Sequence, residues 1–238
     1  IAQTMPADIL MDESLDLDEP LNEQEHLNTM HQMAAKNQLF RSYIGRGWYG
    51  TNTPAVIQRN ILENPVWYTS YTPYQAEVSQ GRLEALFVYQ TMISALTGLP
   101  LANCSLLDEA TAAAEAVTMM RNLRSRDMVK AGVKKVLVDK KIFANTLSVL
   151  CTRAKGQDIE LVMVDYAQVT PDWLAENGPF FGAIVQYPNA DGSIEDYSAF
   201  IDDCHAAGMK VSVIADLMAL ALLKPLDADI MCGTAQRF

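Results

Sequence analysis

Beyond residue 130 the polarity of the chain switches on a short period. Apolar runs at residues 136–138, 161–164, 183–187, 211–215 and 229–232 read as strands. The stretches between them, at about 145–154, 171–177, 195–207 and 217–223, carry helical spacing. Short apolar strands alternating with helices argue for a parallel sheet covered on both faces. Ahead of this block, residues 80–97 predict a long helix with Leu83, Leu86, Phe87, Ile93 and Leu96 near helical spacing and Gly98 as its stop. Further upstream, Asn22 followed by Glu25 predicts a capped helix whose apolar face is Leu27, Met30, Met33 and Ala34. Residues 54–64 read as a short helix and residues 1–20 as an extended arm. The pattern therefore divides the chain into an N-terminal arm with helices, 1–100, and an α/β domain, 101–238.

The join between the two is the most informative stretch. Ser105 followed by Asp108 reads as a capping box, and the alanine-rich run behind it is a strong helix former. Ala110, Ala112, Ala113, Ala114 and Ala116 would let this helix lie close against a sheet or another backbone. Many cofactor-binding α/β domains hold a phosphate at a helix start of this kind. Here Asp108 and Glu109 occupy the first turn, where two carboxylates satisfy the free amides and repel a phosphate. The geometry suits an anion and the charge does not.

Two other stretches invite a chemical reading. Gly45-Arg-Gly47-Trp-Tyr-Gly50 looks like a dinucleotide fingerprint, but neither a strand nor a βαβ unit surrounds it, so residues 43–53 read as loop. Residues 66–75 hold five aromatics with Thr and Gln between them, too many for one helix face. Tyr71-Thr-Pro-Tyr74 is a turn with hydroxyls directed outward, suited equally to a pocket wall and to packing of an arm onto a core.

Composition narrows the class. The chain has 238 residues, 50% of them hydrophobic, enough for one large core with an appended arm. No apolar run reaches the roughly 18 residues of a membrane span, and the first ten residues lack the layout of a signal peptide. The net charge is −11, and eight of the 29 acids lie within residues 1–35, where there is no Lys or Arg. An acidic arm on a near-neutral body excludes nucleic acid as a partner. Cys104, Cys151, Cys204 and Cys232 match no zinc or redox spacing and read as buried, reduced thiols.

Two long segments carry a family resemblance. They are Glu63-Asn-Pro-Val-Trp-Tyr-Thr-Ser-Tyr-Thr-Pro-Tyr-Gln-Ala-Glu-Val-Ser-Gln-Gly-Arg-Leu-Glu84 and Ser105-Leu-Leu-Asp-Glu-Ala-Thr-Ala-Ala-Ala-Glu-Ala116. Shorter matches are Thr152-Arg-Ala154, Gln186-Tyr-Pro-Asn189 with Gly192, Ala215-Asp-Leu-Met-Ala-Leu220 and Gly233-Thr-Ala-Gln-Arg-Phe238. From about Ile44 onward the chain resembles the N-terminal half of the glycine cleavage system P-proteins. The resemblance implies the large domain of the aspartate-aminotransferase fold, type I of the pyridoxal-phosphate-dependent transferases. It implies a parent protein, either one chain of two related halves or two separate subunits, that decarboxylates glycine on pyridoxal phosphate. The aminomethyl group then passes to the lipoyl arm of the H-protein.

The resemblance also points to residues. Asp216 is placed like the acid at the cofactor's pyridine nitrogen, although a helix N-cap explains it equally. Phe143 stands where many members carry a stacking His. Asn189 resembles the asparagine that touches the cofactor hydroxyl, and a Pro-Asn turn also explains it. Thr111 lies in the first turn of the alanine helix. Aligned on the last strand and Phe238, Gln236 takes the place of the Schiff-base lysine, and a carboxamide forms no imine. Thr111, Phe143, Asn189, Asp216 and Gln236 together read as a vestigial cofactor site with no catalytic residue. Lys224 reads as a helix-end residue.

The expected role is then to pair with the catalytic half. Tyr71, Thr72 and Tyr74 would reach across the cleft, with Arg46 and Arg82 as candidates for steadying a carboxylate unless they form structural ion pairs. Expected partners are that catalytic half or subunit, glycine and lipoyl H-protein, in a homo- or hetero-oligomer, with no membrane and no metal. The compartment would be a bacterial cytoplasm or a mitochondrial matrix. The chain reads as stopping before the small C-terminal domain of this fold. Two other readings stay open: a pyridoxal-phosphate enzyme whose lysine lies beyond residue 238, and a non-enzymatic scaffold.

Overall fold

The computed structural model describes residues 3–11, 13–45, 50, 52–68 and 75–235. The chain divides into two units, Ile1–Pro54 and Ala55–Phe238.

In the first unit, α1 spans Glu23–Ala34. Asn22 Oδ1 accepts from the Glu25 amide at 3.0 Å, and the Glu25 carboxylate accepts from the Asn22 amide at 3.0 Å. This reciprocal cap satisfies two amides that have no partner inside the helix. The expected apolar face exists but covers nothing in its own unit: no residue of α1 is buried.

The second unit opens with α2, Ala55–Ile57, which widens into a π-helical turn at Gln58–Leu62, followed by α3, Pro65–Tyr68. The long helix α4 spans Ala76–Thr97 and is kinked at Ser79, where helical start was expected from the sequence. Gly98 ends it at φ 73°, a left-handed conformation that suits glycine, with its amide donating to the Ser94 carbonyl.

Five strands follow: β1 Lys135–Asp139, β2 Glu160–Val164, β3 Phe180–Tyr187, β4 Lys210–Asp216 and β5 Ile230–Thr234. Every pairing is parallel and the spatial order is β2-β1-β3-β4-β5. The intervening helices are α5 Glu109–Asn122, α6 Arg126–Lys130, α7 Ala144–Gly156, α8 Pro171–Asn177, α9 Ser198–Ala206 and α10 Leu217–Leu222.

The helices bury both faces. On one, Ala113, Ala114, Val117 and Met120 of α5 and Leu150 of α7 pack on Val136, Val138, Ile184 and Ile214. On the other, Leu174 of α8, Phe200 and Ile201 of α9 and Leu220 of α10 meet Leu137, Ala183, Val185, Val211 and Val213. Covering both faces explains why the strands read as apolar runs rather than alternations. In β3 the register against β1 shifts so that Lys135 pairs with Phe180 and Val136 with Gly182. The extra residue, Phe181, turns into the α5 side beside Ile184.

The alanine stripe does what its size predicts. Ala110, Ala112, Ala113, Ala114 and Ala116 are all buried, and α5 lies close enough that a Cβ at Gly182 would stand 2.8 Å from Met120 Sδ.

Some expectations need correction. The cap of α5 is Asp108, not Ser105, because the Asp108 carboxylate reaches the Thr111 amide while Ser105 Oγ donates to the neighbouring Leu106 carbonyl. Helix α9 starts at Ser198 rather than 195, since Asp196 accepts from the Ser198 amide and Glu195 turns away to an ion pair. The cysteines are all free, but only Cys204 is buried and Cys151 is exposed. Burial pushes the Cys204 thiol up to about 12, so it is inert.

Candidate functional site

In an open parallel sheet, ligands bind outside the carboxyl ends of the strands, where the chain reverses its direction of travel across the sheet. Here β1 is followed by β2 on one side and β3 on the other, so the reversal lies between β1 and β3. Phe143, Asn189 and Asp216 stand at or just past strand carboxyl ends, after β1, β3 and β4 respectively. Thr111 comes from the start of α5, which packs on β3, β4 and β5. Arg46, Tyr71, Thr72, Tyr74 and Gln236 lie outside the described residues.

The start of α5 carries the clearest chemistry. Asp108 Oδ1 accepts from the Thr111 amide at 2.7 Å. That amide, followed by the Thr111 hydroxyl, pulls the Asp108 carboxyl below its ordinary value. An ionised carboxylate thus occupies the place where the free amides of a helix would hold a phosphate. The other positions are engaged too. Asp216 caps α10, its Oδ1 accepting from the Met218 amide at 3.0 Å. Asn189 is 2% exposed; its Oδ1 accepts from the amides of Asp191 and Ser193, and its Nδ2 turns toward Glu195 at 3.5 Å. Phe143 sits at the N-cap position of α7 without a side-chain hydrogen bond. These residues do not fit a pyridoxal phosphate. The start of α5 is anionic and already capped, the asparagine Oδ1 closes its own turn, and the phenyl ring can only pack.

A second polar group at the same edge is invisible in the sequence, because three separate segments supply it. Glu195 accepts from Lys141 Nζ at 3.1 Å and from the Tyr166 hydroxyl at 3.0 Å. Lys141, then Tyr166, lowers the Glu195 carboxyl, and Glu195 in turn raises the Lys141 ammonium. Beneath this group Tyr197, fully buried, donates to the Gln186 carbonyl at 3.1 Å, with Asp139 Oδ2 3.4 Å away. Asp139 is 1% exposed and its Oδ1 has no hydrogen-bond partner among the described residues. Burial, with the negative charge of Asp165 adding to it, raises the Asp139 carboxyl above its ordinary value. Tyr166 packs edge-on against Tyr197 at 4.5 Å between ring centres, so the polar network is fixed in an apolar surround.

Arg82, on α4, is the remaining candidate. Its guanidinium lies over the Trp67 ring, 5.7 Å from the ring centre. Its Nε and Nη2 are buried and have no hydrogen-bond partner among the described residues. Lys224 lies exposed beyond the end of α10. Among the described residues no helix is long and apolar enough to cross a membrane, and no cluster of His, Cys, Asp and Glu could hold a metal ion.

Known proteins match this chain throughout. The family model for the glycine cleavage system P-protein covers residues 1–238, including the acidic arm for which the sequence offered no motif. Glycine dehydrogenase (decarboxylating) of Bacteroides thetaiotaomicron is 55% identical over 100% of this chain and 25% of its own length. The mitochondrial protein of that name from Solanum tuberosum is 50% identical over 93% of this chain and 21% of its own. The chain spans about a quarter of the length of the curated relatives it matches. A crystal structure of glycine decarboxylase (P-protein) of the glycine cleavage system, in inhibitor-bound form, superposes with a TM-score of 0.71 at 34% identity. That match covers 99% of this chain and 53% of the other. The fold expected from the resemblance, the large domain of the pyridoxal-phosphate-dependent transferases, is the fold observed. With its whole length matched by that family model, the chain belongs to the glycine cleavage system P-protein family.

Proposed function

We propose that this chain is the non-catalytic N-terminal part of a glycine decarboxylase, and that it shapes the cleft without holding the cofactor. The parent protein would remove CO2 from glycine and pass the aminomethyl group to lipoyl H-protein. Pyridoxal phosphate, seated in the catalytic half, would supply the electron sink there. The division at about residue 100 would separate an arm that embraces the partner half from a domain that docks beside it. Tyr71, Thr72 and Tyr74 would line the glycine pocket or the lipoyl approach, and Arg46 would steady a carboxylate. The assembly is a homo- or hetero-oligomer, in a bacterial cytoplasm or a mitochondrial matrix.

The observation that supports this reading is the Asp108 carboxylate on the Thr111 amide at the start of α5. A phosphate there would meet a like charge and a helix end already capped. Phe143, Asn189 and Asp216 add to it as a vestige of a cofactor site, and Gln236 offers no amine.

The test uses the full-length parent protein. Borohydride reduction followed by peptide mapping should place the pyridoxyl group on a lysine outside residues 1–238. Asp108→Ala should leave cofactor content unchanged. A cofactor phosphate carried by α5, read as altered cofactor content in Asp108→Ala, would overturn the proposal. A reduced lysine within residues 1–238 would overturn it as well.

A further inference from the structure

We infer that Arg82 is a seat for a carboxylate supplied from outside the described residues. A guanidinium stays cationic when buried, so its N–H groups need acceptors. Nε and Nη2 are the two nitrogens of one edge of the fork, the edge that receives both oxygens of a carboxylate side by side. In Arg82 these two are buried without a partner among the described residues. No described carboxylate pairs with Arg82: the ion pairs present involve Lys134, Lys141, His205 and Lys210. The alternative open in the sequence, a structural ion pair, is therefore not formed within this chain's described residues.

The surroundings hold the fork ready. Arg82 Cζ lies over the Trp67 ring, 5.7 Å from its centre, a cation–π contact that leaves the edges of the fork for hydrogen bonding. Arg82 stands just past the kink at Ser79, on a 22-residue helix that ends against the core through Leu96. Trp67 sits on the four-residue α3 and is 39% exposed, so this side of the contact is open to solvent. The occupant is a planar, bidentate anion. Its source is either a free amino acid, glycine in the reading above, or an Asp or Glu of the other three quarters of the parent protein. The first source rests on the proposed function; the second does not.

The experiment takes the full-length protein with Arg82→Lys and Arg82→Met. It measures dissociation constants for glycine and for methylamine, which is glycine's amine without its carboxylate, and thermal midpoints at pH 7 and pH 2. A free amino acid in the seat raises the glycine constant by about 10- to 100-fold in both variants, because Lys cannot supply the fork. Methylamine is then unaffected. A protein carboxylate leaves glycine binding unchanged and lowers the midpoint of both variants at pH 7. Pairing with a guanidinium holds the carboxyl below its ordinary value, so that deficit shrinks only when the pH falls below that lowered value, as at pH 2. The seat is refuted if neither constant nor midpoint moves, or if the midpoint deficit is the same at both pH values, which is packing alone. Should wild-type protein fail to bind glycine, the proposed function falls and the melting data alone decide Arg82.

Discussion

Tyr197 shows what one hydroxyl does in a sealed interior. It is fully buried, and its bond to the Gln186 carbonyl satisfies an acceptor that water cannot reach. Tyr197→Phe should cost about 1–2 kcal/mol of unfolding free energy in denaturant titration, since the ring still packs and only the hydrogen bond is lost. Asp139 beside it works the other way. Its folded carboxyl holds a proton more tightly than the unfolded one, through burial first and the Asp165 charge after it. From the ordinary carboxylate value upward, the native state therefore binds more protons than the unfolded state, and stability falls as pH rises through that window. Asp139→Asn should raise the midpoint of thermal unfolding at pH 7 and leave it unchanged near pH 3, flattening the profile. A profile that keeps its slope would assign the titration to another group.

At the scale of elements, α5 decides how close a helix can lie on this sheet. Its alanines are buried, and a Cβ at Gly182 would meet Met120 Sδ and the Lys210 carbonyl oxygen, each at 2.8 Å. Gly182→Ala should therefore destabilise by about 1–3 kcal/mol in chemical denaturation. Adding Met120→Ala should not rescue it, because the carbonyl belongs to the neighbouring strand and cannot yield. Much of this layer was legible beforehand. Thr170 caps α8 and Pro171 begins it, and the helix expected at about 171–177 coincides with Pro171–Asn177. The strands were found but clipped: β3 begins at Phe180, three residues ahead of its apolar run, because Gly182 breaks the pattern. The bulge that turns Phe181 toward α5 depends on the partner strand and leaves no local mark. For the same reason the Ser105–Asp108 spacing suggests a capping box, whereas Asp108 is itself the cap. Asp and Ser are both good caps, and only the helix axis selects between them.

For the molecule as a whole, the two units differ in what they bury. In Ile1–Pro54, α1 has no buried residue, and Leu39, Phe40 and Ile44 are 102, 81 and 94% exposed. The interior of Ala55–Phe238 is a covered parallel sheet. Hydrogen exchange on this chain should show α1 amides exchanging near the unfolded rate while β1, β3 and β4 exchange slowest. Comparable protection of α1 in the full-length parent would mean that the rest of the protein covers its apolar face. Equal protection of α1 and β3 in this chain alone would contradict the distribution of burial seen here.

Sequence by itself determined the alternation of strands and helices, the parallel sheet with two covered faces, the alanine helix and the carboxylate at its start. Each of these is written in residues close together in the chain, where period, size and charge act locally. Tertiary structure alone decided the Glu195–Lys141–Tyr166 group, the sealed Asp139–Tyr197 pair and the unpaired edge of Arg82. Their members come from separate segments, and whether a polar atom finds a partner depends on which segments the sheet order brings together.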